Sequence, residues 1–127
     1  MHAQLEAYRT ALKTTMSGRE IEASVLTKAA LMLKNCQKNW NSESRRAKLE
    51  EALRFNQLIW SIFQGELIKV DNPLPKKLKE DILSLAAFID KRIFDIMAYP
   101  SPEKLTSIIN INLNIAAGLR GLSDNRS

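Results

Sequence analysis

Apolar side chains recur along this chain at three- and four-residue spacing, the period of one helix face, in five runs separated by polar or proline-containing breaks. Residues 3–16 place Leu5, Tyr8, Leu12 and Met16 on one stripe, and S-G-R-E follows, with Ser17 as a predicted N-cap and Glu20 closing a capping box. A second helix over 18–39 carries Ile21, Val25, Ala29, Met32 and Cys36, with Leu26, Ala30 and Leu33 beside them, until polar NWNSES ends it. A third runs from Ser44 to Lys69 and stops at DNPLP, because proline cannot donate to the helical ladder and restricts the residue before it. With Pro75 in its first turn, a fourth helix continues to Ala98 along Leu78, Ile82, Leu85, Ile89, Ile93 and Ile96. YPSPE is the last break, with Ser101 as N-cap, Pro102 at the first helical position and Glu103 beside the positive helix end.

The last run, 102–120, contains INLNI, whose alternation taken alone reads as strand. At about 100° per residue, however, Leu105, Ile108, Ile109, Ile115, Ala116 and Leu119 share a face. A helix therefore accounts for more of the segment. The expected fold is all-α: a single-domain bundle of about five helices over 1–122, with a disordered tail at 123–127.

The same rotation places two polar residues inward. In ALRFNQLIWSIFQGEL (52–67), Leu49, Ala52, Leu53, Ile59, Trp60, Phe63 and Leu67 lie within about 60° of a line through Asn56. In the last helix Asn112 sits mid-stripe, while Asn110 and Asn114 fall on the opposite face. A buried amide without partners costs about 1–3 kcal/mol, so both need partners. Either they bond to one another or to nearby backbone and fix the bundle's register, or they read the backbone of a bound segment.

Composition narrows the function. The net charge of +5 comes from 19 basic and 14 acidic residues spread along the chain. The densest clusters, Arg45–Arg46–Lys48 and Lys76–Lys77–Lys79, stand near predicted helix starts. Scattered charge of this kind reads as a solvated surface rather than a nucleic-acid face. No apolar run reaches the roughly 20 residues that span a bilayer, and the opening MHAQLEAYRT lacks the layout of a secretory signal. Cys36 has no second cysteine to pair with, which suits a reducing cytoplasm.

Catalytic constellations are thin. His2 is the only histidine, no glycine-rich phosphate loop follows a strand, and Cys36 lies on an apolar stripe that suits an inert thiol. No ligand set at metal-binding spacing appears, and Asp90 with Asp95, or Glu50 with Glu51, reads as helix surface. The chain is read as a non-enzyme, with no catalytic, cofactor-binding or metal-binding residues and no cofactor.

Apolar residues off the main stripes are more informative. Leu83, Ala87, Phe94 and Met97 make a second face on the fourth helix, interrupted by Asp90, and Phe55, Leu58 and Ile62 lie off the centre line of the third. Either those two helices are central, with neighbours on two sides, or part of this excess receives an amphipathic partner helix. Trp40, in the polar turn KNWNS, is a further candidate contact, against the alternative that it packs on its own bundle.

Taken in order, EASVLTKAALML, ALRFNQLIWSIFQGEL, LPKKLKEDILSLAAFI and ININLNIAAGLRGL resemble the bacterial flagellar FlaF family over nearly the whole chain. The family pattern is Asn-x-x-[Leu/Ile]-Trp, then an acidic residue, a Leu-Pro helix start, and a closing Asn-x-x-Ile with Gly-Leu. It is matched by Asn56, Ile59, Trp60, Glu66, Leu74, Pro75, Asn112, Ile115, Gly118 and Leu119. The resemblance implies a small helical cytoplasmic protein that promotes flagellin synthesis and secretion. Its partner would be flagellin, held as by an export chaperone, with the regulator FlbT as a possible second partner. The other classes left open are an RNA-associated regulator of flagellin translation and an adaptor acting with FlbT.

Overall fold

A computed structural model of the protein describes residues 18–124, with side chains through Gly121. Among the described residues there are four α-helices, one 3₁₀ turn and no strand. We label the helices α1 (Arg19–Lys38), α2 (Arg45–Leu67), α3 (Lys76–Ala98) and α4 (Leu105–Asp124); the 3₁₀ turn, Pro102–Lys104, leads into α4. The predicted helix over 3–16 and the Ser17 cap lie outside the described residues. INLNI is helical, as rotation about the helix axis indicates and alternation does not. The backbone of α4 continues to Asp124, two residues into the predicted tail.

The breaks follow from local chemistry. At the start of α1 the N-cap is Gly18, whose carbonyl accepts the Glu22 N–H at 3.1 Å. Glu20 is then the second helical residue rather than the third, one place short of a capping box. It and Glu22 still put negative charge on the positive helix end, with Lys38 at the other end. Beyond α2, the Asn72 side chain donates to the Glu66 carbonyl at 3.1 Å and accepts from Leu74 N–H at 3.0 Å. The turn before Pro75 is thereby fixed by side-chain bonds. Gln37 Nε2 ties the end of α1 to the start of α4, donating to the Pro102 carbonyl and to Thr106 Oγ1, both at 2.9 Å.

α1 and α4 make the closest pair. Ala23, Ala29 and Ala30 on α1 and Ala116 on α4 are fully buried, and side chains this small let two helix axes approach. α2 packs on α1 and α3 packs on α2, whereas α3 meets α4 only lightly. The helix carrying the second apolar face is therefore peripheral, not central. On α1 the buried arc is centred on Ala23, Leu26, Ala30 and Leu33, and Ile21, at one edge of the predicted stripe, is exposed.

One buried ion pair sits at the start of α1, where Arg19 Nη1 meets Glu22 Oε1 at 2.6 Å and both side chains are buried. Burial pushes the Glu22 carboxyl above its ordinary 4.5; Arg19 works against that shift and Glu66 adds to it. Between 4.5 and this raised value the folded chain holds a proton that the unfolded chain has released. Stability from this group is therefore full below 4.5 and falls as pH rises through the folded value. Urea midpoints measured from pH 4 to 8 should show this declining contribution, and Glu22→Gln should remove it. An unchanged pH profile in the variant would overturn the assignment.

Candidate partner-binding surface

The two inward asparagines are joined in the core. Asn112 Nδ2 on α4 donates to Asn56 Oδ1 on α2 at 2.6 Å. Asn56 Nδ2 donates in turn to the Ala52 carbonyl at 2.8 Å and, across to α1, to the Ala29 carbonyl at 3.2 Å. Trp60 Nε1 donates to Asn112 Oδ1 at 2.9 Å. Both amides are 0% exposed, so neither meets a bound segment in this structure. Their place is structural: the backbones of α2 and α4 are not close neighbours, and this chain of bonds spans the gap and reaches α1 as well.

The candidate surface residues divide. Phe55 is core, 2% exposed, with the Lys28 Nζ of α1 5.7 Å from its ring centroid. Its flank of α2 turns toward α1, and a helix packed on two sides buries a wider arc than its centre line suggests. Leu58 and Ile62, further round, are half-buried, and Ile62 packs against the core. Trp40 is half-buried against the core, with the Arg45 guanidinium 4.6 Å from its ring centroid. Leu83 is half-buried and packs against the core too.

That leaves the outer face of α3. Phe94 is 78% exposed and Met97 46%, with Ala87 exposed two turns before Phe94. Of the eight large exposed apolar side chains among the described residues, four are Phe88, Phe94, Met97 and Tyr99, all on α3 or directly after it. Ala87, Phe94 and Met97 share the outward side of α3, whereas Phe88 lies about 120° round from Phe94 and Tyr99 follows the helix. Phe88 and Tyr99 were not among the residues singled out from sequence; for Phe88 the available signal was its rotation away from the Ile82–Ile89–Ile93–Ile96 stripe, whereas Tyr99 lies in the break after the helix. Each has a cation beside its ring, Arg92 at 5.4 Å and Lys104 at 5.7 Å. Cys36, by contrast, is buried, and burial raises its thiol above the ordinary range, away from the reactive thiolate.

A family model described as flagellar protein FlaF matches residues 4–119. The chain belongs to the FlaF family. The match takes in the Asn56–Trp60–Asn112 network and the whole of α3. No curated protein matches the chain, and no solved structure does. No helix among the described residues is long and apolar enough to cross a membrane.

Proposed function

We propose that this FlaF-family protein is a non-catalytic, cytoplasmic chaperone that holds flagellin before export and thereby promotes its synthesis and secretion. The observation that carries this reading is Phe94, a large apolar side chain 78% exposed in the last turns of α3, with Ala87 and Met97 exposed on the same side of the helix. Such a side chain stabilises nothing within its own chain, but it can anchor an amphipathic segment that has not yet folded. A holding protein works by covering such a segment, which requires apolar area with a polar rim and no reacting groups.

Purified protein should retain unassembled flagellin at both low and high salt, because burial of apolar surface persists when charges are screened. Binding through nucleic acid would instead weaken steeply with salt. If flagellin is retained in neither condition, the chaperone reading fails; a stable FlbT complex in that case would favour the adaptor role. Phe94→Glu should weaken flagellin binding by about tenfold or more, as loss of a central apolar anchor does. Because Phe94 is exposed, the variant's unfolding midpoint should stay at the wild-type value.

A further inference from the structure

α1 packs against α4 on one side and α2 on another, and its third side is a trough that runs from Glu20 to Lys38. Ile21 and Val25 line its first stretch, Leu31 and Met32 its second, and Ser24 and Lys28 are common to both. Ile21 is 41% exposed and Leu31 54%; they are the two large apolar side chains of α1 left open. Ten positions separate them, about 15 Å along the helix. Neither belongs to the outward side of α3, so the partner surface does not account for them.

The sequence just ahead of α1 carries an apolar stripe of matching length. From Leu5 to Met16 is eleven positions, about 16 Å at helical rise. Gly18, the N-cap of α1, has extended backbone angles (φ −85°, ψ 113°), so a helix over 3–16 does not run straight into α1. Ser17 and Gly18 alone separate the two, a connection of the length that joins antiparallel helices. We infer that residues 3–16 fold back as an amphipathic helix antiparallel to α1, with the Leu5–Tyr8–Leu12–Met16 stripe seated in the trough. Counting outward from the connection, Met16 falls beside Ile21, Leu12 between Ile21 and Val25, Tyr8 beside Lys28, and Leu5 beside Leu31. The charges agree with this register, since Glu6 comes level with Lys28 and Lys13 with Glu20. The third side of α1 is thus closed by its own chain, and the outward side of α3 stays open.

The test is disulfide capture in the full chain, on a Cys36→Ala background so that two introduced thiols are the only ones. Leu5→Cys with Leu31→Cys should oxidise to an intramolecular disulfide in the presence of copper phenanthroline, because such a bond needs Cα atoms within about 7 Å of one another. Leu5→Cys with Phe94→Cys, which puts the second thiol on the outward side of α3, should close about tenfold more slowly or not at all. Leu12→Glu in the otherwise wild-type chain should lower both the urea midpoint and the helical circular-dichroism signal, whereas Leu12→Met should keep them. None of these readouts involves flagellin, so the result is independent of the chaperone reading. Failure of the Leu5–Leu31 pair to close, equal closure of the Leu5–Phe94 pair, or a Leu12→Glu chain as stable and helical as the wild type overturns the inference.

Discussion

Replacing Asn112 with Leu should lower the unfolding free energy by about 3 kcal/mol, although leucine is an apolar side chain of similar size entering a buried site. Two groups lose their partners together: Asn56 Oδ1, which accepts from Asn112 Nδ2, and Trp60 Nε1, which donates to Asn112 Oδ1. Both residues are buried, so water cannot replace the bonds without opening the core. Each orphaned group costs about 1–3 kcal/mol, and the lower part of that range, taken twice, sets the estimate after some credit for the added apolar contact. Equilibrium urea unfolding measures it directly. A double-mutant cycle with Asn56→Leu should show coupling well outside additivity, since the second substitution removes the stranded Asn56 acceptor. A cost for Asn112→Leu below about 1 kcal/mol would mean that the network is not the tie between α2 and α4 described above.

Phe55→Ala should be at least as damaging, by about 3–5 kcal/mol, which is the range for emptying a buried aromatic site. In thermal unfolding this would appear as a fall of about 10 °C or more in Tm. The comparison with Phe94→Glu is the informative part. Both residues are phenylalanines off the main apolar stripe of their helices, yet one is 2% exposed and the other 78%. One substitution should destabilise the bundle; the other should spare the bundle and weaken binding. Stability loss of similar size in both variants would contradict the placement of α3 at the periphery.

Much of this was legible in the sequence because a helix has a known pitch. Rotation at that pitch puts Asn56 and Asn112 on buried lines and Asn110 and Asn114 on exposed ones, and the side chains occupy those places. It also recovers the Ile82–Ile89–Ile93–Ile96 core stripe and the outward turn of Phe94. Pitch says nothing of how wide a buried arc is, however, and Phe55 shows why. Its angle from the centre line of α2 reads as surface until α1 is laid against that flank. For Trp60 the stripe indicates burial but not the partner of its indole N–H, which comes from a helix 52 positions further along the chain.

By itself, then, the sequence determined what depends on residues close in the chain: where helices start and stop, which line along each is buried, and that two amides lie on such lines. Local geometry and the cost of burying unpaired polar groups suffice for these. Only the tertiary structure decided which helix has neighbours on both sides and which is left with an open face. That choice turns on how small residues such as Ala23, Ala30 and Ala116 let α1 and α4 close on one another, leaving α3 at the edge with Phe94 and Met97 uncovered. Packing between helices is a property of several surfaces fitted at once, and no single stretch of chain encodes it.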